Sequence, residues 1–184
     1  MRVIAGTAKG RRLKSVPGEG TRPITDRVKE ALFNILAPQM EGARFLDLYA
    51  GTGSVGIEAL SRGAESAVFV EYGRRAARVL EENLRLTGFQ DRSHMVRDDV
   101  FHFLANTPWG PFDIIYIAPP QHRNLWALTL QSLDERSHLL ALGGVAIAQV
   151  YPKEYQPLGL AHLALIDQRR YGSTLLLFYS GKGR

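Results

Sequence analysis

One loop and two later acids hold most of the chemistry this sequence offers. The loop reads Asp47-Leu48-Tyr49-Ala50-Gly51-Thr52-Gly53-Ser54-Val55-Gly56, and Gly51, Gly53 and Gly56 have the spacing G-x-G-x-x-G. Glu71 follows Gly51 by 20 residues, and Asp98-Asp99 closes a third apolar stretch. Where such glycines join a strand to a helix, they allow a tight turn and close ligand approach, and an acid ending the next strand binds a ribose. Farther on, the run Phe112-Asp113-Ile114-Ile115-Tyr116-Ile117 stops at Ala118-Pro119-Pro120-Gln121. Two prolines end a strand, and they also leave carbonyls with no competing N–H.

The acids choose among nucleoside cofactors. A dinucleotide brings a pyrophosphate to the glycine turn, and a carboxylate at Asp47 repels it. S-adenosylmethionine has no phosphate and carries an ammonium group that an acid attracts. Asp99 suits an adenine amino group, with Val100 against the ring, and Asp98 is the competing choice. Asp47, Glu71 and Asp99 then serve amino acid, ribose and adenine in turn. Tyr49, Tyr72, Gly51 and Gly53 complete this candidate cofactor set.

These residues need a frame that brings strand ends together. Strand patterns at 44–49, 67–71, 94–97, 112–117 and 145–150 alternate with helix patterns at 55–62, 74–86, 100–105 and 125–140. That alternation predicts βαβ units and a parallel sheet covered on both faces, with ligands beyond the carboxyl ends of the strands. Segments 164–170 and 174–179, joined by Tyr171-Gly172-Ser173, predict an antiparallel hairpin. Ahead of the sheet, Thr25 or Asp26 caps a helix on Val28, Ala31, Leu32 and Ile35, ended by Pro38.

Composition narrows the partner. The chain has 184 residues, 45% apolar and 22% charged, which fits a globular protein, and no cysteine, which removes disulfides, thiolate metal sites and thiol nucleophiles. Neither a signal peptide nor a bilayer-spanning run is present, so a cytoplasmic location is expected. The five histidines lack metal-ligand spacing, so no metal is expected. Residues 1–30 hold eight Lys/Arg against three acids, which accounts for the whole net charge of +5. A basic segment beside a neutral body suits RNA, gripped by Arg2, Lys9, Arg11, Arg12, Lys14, Arg22 and Arg27. Val3, Ile4, Leu13 and Val16 interleave with these charges and predict a short hairpin.

Longer stretches carry a resemblance. "DLYAGTGSVGIEALSRGA", Val70-Glu71, Asp98-Asp99 and the double proline are similar to class I S-adenosylmethionine-dependent methyltransferases. "RVIAGTAKGRRL", "TRPITDRVKEALFNIL" and "RRYGSTLLLFY" resemble the RsmD-type enzymes, which methylate the exocyclic N2 amine of a guanine in small-subunit ribosomal RNA. The resemblance implies a Rossmann-like, mostly parallel seven-stranded sheet with an antiparallel last strand. It places the cofactor on Asp47, Gly51, Gly53, Glu71 and Asp99, and RNA on the arm and the "TRPITDR" segment. The expected organisation is a basic arm at 1–22 and a methyltransferase domain at 23–184, with a helical segment at 25–37 and the sheet at 44–180. A monomer acting on ribosomal RNA or the small subunit is expected.

The chain departs from that family at the acceptor. The family motif is Asp-Pro-Pro followed by Tyr or Phe, and here the residues are Ala118, Pro119, Pro120 and Gln121. An acceptor aimed at the amine N–H contributes about 10²–10⁴ in rate, while alignment of the reactants supplies about 7–11 kcal/mol and survives the change. The expectation is a weakened acceptor site using the Ala118 and Pro119 carbonyls and Gln121. Tyr116, His122 and Trp126 are the nearby candidates to stack on a flipped base. The rival readings are a non-catalytic RNA-binding or assembly factor that keeps the cofactor pocket, and a small-molecule methyltransferase.

Overall fold

A computed structural model describes residues 1–17, 23–121 and 123–183. Among them run α1 (Asp26–Leu36), β1 (Arg44–Leu48), α2 (Ser54–Ser61), β2 (Ser66–Val70), α3 (Arg74–Thr87) and β3 (Ser93–Val96). They are followed by α4 (Val100–Asn106), β4 (Phe112–Ile117), α5 (Leu125–Glu135), β5 (Leu140–Val150), β6 (Leu163–Tyr171) and β7 (Thr174–Gly181). The seven strands form one sheet in the order β3-β2-β1-β4-β5-β7-β6. The first five are parallel, and β7 runs antiparallel to both β5 and β6. The expected Rossmann-like sheet with an antiparallel last strand is the observed one.

Side-chain alternation along the strands builds two cores. Phe45, Phe69, Ile114, Ile147 and Phe178 face α1, α2, α3 and the N-terminal arm. Leu46, Leu48, Val70, Ile115, Ile117 and Leu177 face α4 and α5. Each fully buried Leu or Phe contributes roughly 1.5–3 kcal/mol.

Local signals end the elements as the residue types dictate. Thr25 caps α1, its hydroxyl accepting the Val28 N–H at 3.3 Å, and α1 gives way after Leu36 to a short 3-10 turn at Ala37–Gln39. Gly88 closes α3 in the left-handed conformation at φ +77°. One boundary is corrected: the helix pattern over 125–140 stops at Glu135. The backbone leaves the helical region at Arg136, and the Leu139 and Leu140 that prolonged the apolar periodicity instead enter a 3-10 turn and the start of β5. The glycines at 143–144 do not precede β5 but lie inside it, and at Gly144 a Cβ would come 2.8 Å from the Asp113 carbonyl.

The N-terminal residues form a docked hairpin. Arg2 and Arg12 bridge, Val3 N–H donates to the Arg11 carbonyl at 2.9 Å, and Val3, Ala8 and Leu13 are buried. The Glu58 carboxylate, wholly buried on α2, accepts the N–H groups of Ile4 and Ala5 at 2.9 and 3.1 Å. Ser61 Oγ accepts the Ala8 N–H and donates to the Ala5 carbonyl. Lys29, counted with the basic excess, is buried at 1% exposure and unavailable to a polyanion. Its ammonium sits 3.5 Å from Glu58 and donates to the Arg2 carbonyl and Ser54 Oγ. Burial lowers its pKa, against the opposing pull of Glu58.

Candidate cofactor and acceptor site

Parallel pairing fixes the site. Leu48 is in register with Val70 and Ile117, and Val70 with Val96, so β1, β2, β3 and β4 end side by side. The loops at 49–53, 71–73, 97–99 and 118–121 therefore leave one rim of the sheet. Two backbone bonds continue the ladder past the strands: Ala50 N–H to the Val70 carbonyl at 2.9 Å, and Glu71 N–H to the Val96 carbonyl at 3.0 Å.

The glycine loop turns through a non-glycine residue in the left-handed region, Tyr49 at φ +62°, whose hydroxyl lies 2.7 Å from Thr129 Oγ1 on α5. Such a conformation in a bulky residue is held by its surroundings and is frequent at functional sites. Gly51 (φ +56°) has nothing within 4 Å of where a Cβ would stand, so its outer face opens on free space. Gly56 has the opposite reason: a Cβ there would meet the Phe69 ring at 2.3 Å. At the rim the Glu71 carboxylate accepts the Gly51 N–H at 2.8 Å and the Gly73 N–H at 2.7 Å. Its oxygens keep lone pairs for hydroxyl donors.

Asp47 does not face this rim. Its carboxylate is 1% exposed and accepts the Gly56 N–H at 2.9 Å, fixing the first turn of α2. Burial raises its pKa to about 7, offset in part by the Gly56 N–H and reinforced by Glu71. The reading that set Asp47 directly against a ligand ammonium is thus corrected: the residue positions the glycine loop, because its strand alternation turns it toward the α2 face. Tyr116, beside it in register, is buried and donates to Gln149 Oε1; burial raises its pKa well above the usual tyrosine value.

The third strand end supplies a helix cap. Asp99 Oδ1 accepts the N–H groups of Phe101 and His102 at 2.9 and 3.1 Å and starts α4. Asp98 pairs instead with His102 Nδ1 at 2.6 Å, and the hydrogen bond lowers the acid's pKa and raises the imidazole's. Val100 is buried beneath this turn, and Tyr72 stands 78% exposed above Glu71.

At the fourth strand end Ala118 packs against the core, Pro119 is half-buried, and Pro120 and Gln121 are exposed. Two candidate stacking aromatics are ruled out as they stand: Tyr116 and Trp126 are each 2% exposed, the first under the sheet face and the second among α5 and Tyr155. His122 lies outside the described residues. An aromatic given no role from the sequence, Tyr171, sits at the β6–β7 turn and is partly exposed. The pairing of Val150 with Leu175 puts that turn at the same rim, beyond the end of β5. Its signal was the Tyr-Gly-Ser turn itself.

The arm reaches the site from behind. Asn83 of α3, fully buried, donates to the carbonyls of Lys14 and Thr52 at 3.0 and 2.9 Å and accepts the Lys14 N–H at 2.8 Å. Sequence alone gave Asn83 no role; an amide on the apolar stripe of α3 was the available cue. Of the arm's cations, Arg2 pairs with Asp26 at 3.1 Å, Lys14 with Glu82 at 2.6 Å, and Arg11 donates to the Leu86 carbonyl at 2.6 Å. Lys9, Arg12 and Arg27 are exposed, and Arg22 lies outside the described residues.

The rim suits S-adenosylmethionine. Gly51 leaves an open cradle, Glu71 offers acceptors beside it, and the glycine loop at 49–53 and the turn at 71–73 contain no Lys or Arg that would ask for a phosphate. Among the described residues there is no cluster fit for a metal ion, and no helix long and apolar enough to cross a membrane.

Known proteins are similar to this chain in sequence and fold. A family model described as "Conserved hypothetical protein 95" matches residues 1–180. YlbH of Bacillus subtilis, provisionally named an rRNA methyltransferase, is 36% identical over 186 residues and covers 100% of both chains. Ribosomal RNA small subunit methyltransferase D of Haemophilus influenzae is 38% identical over 141 residues, covering 76% of this chain and 73% of that protein. Among solved structures, yhhF of Escherichia coli, provisionally named a methyltransferase, superposes with a TM-score of 0.87 at 32% identity, over 100% of this chain and 99% of that one.

Proposed function

The chain belongs to the RsmD-type methyltransferase family, and from that premise we propose that it transfers the methyl group of S-adenosylmethionine to the exocyclic N2 amine of a guanine in small-subunit ribosomal RNA. The observation that carries the reading is the rim itself: Gly51 facing open space with the Glu71 carboxylate bonded to its N–H. The relatives' names supply ribosomal RNA of the small subunit as the substrate class. The protein works in the cytoplasm as a monomer, with the arm at 1–22 and the domain at 23–184 acting as one unit on RNA.

The cofactor, when bound, supplies a methyl group already activated by sulfonium charge. Glu71 holds the ribose hydroxyls, and Asp99 with Val100 receives the adenine. Asp47 keeps the glycine loop in place through Gly56, and Asn83 does so through Thr52. Ala118, Pro119, Pro120 and Gln121 form the ledge beside which the guanine amine is aligned, and carbonyl oxygens there accept its N–H. Tyr171 is an aromatic on this side of the rim with exposed surface, and it takes the stacking role that Tyr116 and Trp126 cannot. Arg12, Lys9 and Arg27, exposed and without an ion pair among the described residues, meet phosphate groups.

The acceptor Asp of the family is absent, so turnover is slow rather than lost: alignment accounts for more of the barrier than the missing base does, about 7–11 against 3–5 kcal/mol. The test is methyl transfer to small ribosomal subunits that lack the modification, followed by nucleoside mass spectrometry. N2-methylguanosine at one position is the expected product. Cofactor binding with no methyl in the RNA would instead identify a non-catalytic RNA-binding factor.

A further inference from the structure

Some of the cations without side-chain partners among the described residues lie away from the segment where the sequence gathers its charge. Along α3, Arg74, Ala77, Arg78 and Glu81 share one helical stripe. They face Met95 and Arg97, alternate positions at the end of β3 and therefore on one side of it. These six residues line a cleft of about 250 Å³. Among the described residues, neither a hydrogen bond nor an ion pair engages the guanidinium group of Arg74, Arg78 or Arg97. In the arm, Lys9 and Arg12 are exposed, while Arg2, Arg11 and Lys14 are already bonded to Asp26, Leu86 and Glu82.

We infer that this cleft binds the phosphodiester backbone of the RNA substrate, outside the cofactor rim; the inference rests on the function proposed above. Three guanidinium groups converge on one concavity against a single carboxylate, so the cleft repels itself until an anion enters. Guanidinium presents a planar fork of donors that matches phosphate oxygens. The Ala77 and Met95 floor offers a ribose an apolar surface and reads no base, which suits a contact that positions without specifying.

The location fits an RNA that also reaches the acceptor ledge. Arg74 follows Glu71 by three residues and Arg97 precedes Asp99 by two, so the cleft borders the rim. β3 is the edge strand, three strands from β4, a separation of roughly 14 Å at the usual strand spacing. A structured RNA spans that distance while one of its bases lies at 118–121. The surface then runs from Lys9 and Arg12 of the arm across α3 to the sheet edge.

The experiment compares the whole protein with the variants Arg78→Glu and Arg74→Ala/Arg78→Ala/Arg97→Ala. Binding to a small-subunit ribosomal RNA transcript is measured at several salt concentrations, and S-adenosylhomocysteine binding by calorimetry. The triple variant is expected to bind RNA at least about tenfold more weakly, with a salt slope smaller by about 2, while binding S-adenosylhomocysteine as the parent does. If the parent methylates RNA and the triple variant matches its affinity and slope, the cleft is not an RNA site and the methyltransferase reading stands. If the parent methylates no RNA, the reading of function fails; RNA binding that weakens in the triple variant supports the cleft even then, and RNA binding that does not weaken overturns it.

Discussion

The Glu71 carboxylate and the Gly51 N–H lie 2.8 Å apart, joining the end of β2 to the turn after β1. A second bond, from Gly73 N–H at 2.7 Å, holds the same side chain. An acid at this place is therefore fixed before any ligand arrives. Its position costs no reorganisation on binding, and a ligand presenting hydroxyl groups finds acceptors already aimed.

The glycines of the loop separate binding from folding. Gly51→Ala places a methyl group in open space at φ +56°, a strain of about 1–2 kcal/mol. It is expected to fold and to bind S-adenosylhomocysteine at least about tenfold more weakly. Gly53→Ala drives a Cβ to 2.2 Å from Leu80 Cδ1 at φ +83°, adding overpacking to strain, about 2–4 kcal/mol together. Thermal melts and calorimetry on both variants check this; parent-like binding by Gly51→Ala contradicts it.

The buried Glu58 ties the arm to α2. Glu58→Ala leaves the Lys29 ammonium without its counter-charge and the N–H groups of Ile4 and Ala5 without acceptors. Breaking such a buried pair from one side costs about 3–5 kcal/mol. Urea unfolding should show that loss, and hydrogen exchange should show the Ile4 and Ala5 amides losing protection in the milder Glu58→Gln. Unchanged exchange at those amides refutes the clamp.

Asp47 makes stability depend on pH in a definite direction. Burial raises its carboxyl from the usual value near 3.8 to about 7. Below about pH 4 the group is protonated whether the chain is folded or not. Between about 4 and 7 the unfolded chain ionises while the folded one keeps its proton, so this contribution is lost as pH rises. Asp47→Asn keeps a carbonyl for Gly56 and removes the titration. Relative to the parent it is expected to gain stability between pH 5 and pH 7.5, on the order of 1 kcal/mol per pH unit. A difference that is constant with pH contradicts the assignment.

Much of this was legible in the residues. The alternation of strand and helix patterns, the glycine turn and the Tyr-Gly-Ser hairpin gave the sheet and its rim, because side-chain period and turn chemistry are local. What was not legible depended on contacts across the chain. Asp47 belongs to the loop's support because β1 alternation turns it inward, a parity the strand end left open. Lys29 looked like one more surface charge until Glu58, on another helix, was placed against it. The helix pattern over 125–140 ran too far because Leu139 and Leu140 satisfy helical and strand periods alike. The free arginines at 74, 78 and 97 lie within residues 31–184, whose charges balance, and only the packing of helix on strand collects them.

The acceptor ledge predicts a gain from one change. Ala118→Asp restores a base beside the amine, and turnover on small ribosomal subunits is expected to rise about 10²-fold or more with cofactor affinity unchanged. Single-turnover methyl transfer at saturating cofactor measures it. An unchanged or lower rate means that the ledge is not where the amine sits.

Calorimetric titration with S-adenosylhomocysteine, of the parent and of Glu71→Ala, bears most directly on the whole account. The predicted result is one site per chain with micromolar affinity in the parent and at least a hundredfold loss in Glu71→Ala, about 3 kcal/mol. No binding by the parent, or equal binding by both, would contradict the claim that this rim holds the methyl donor.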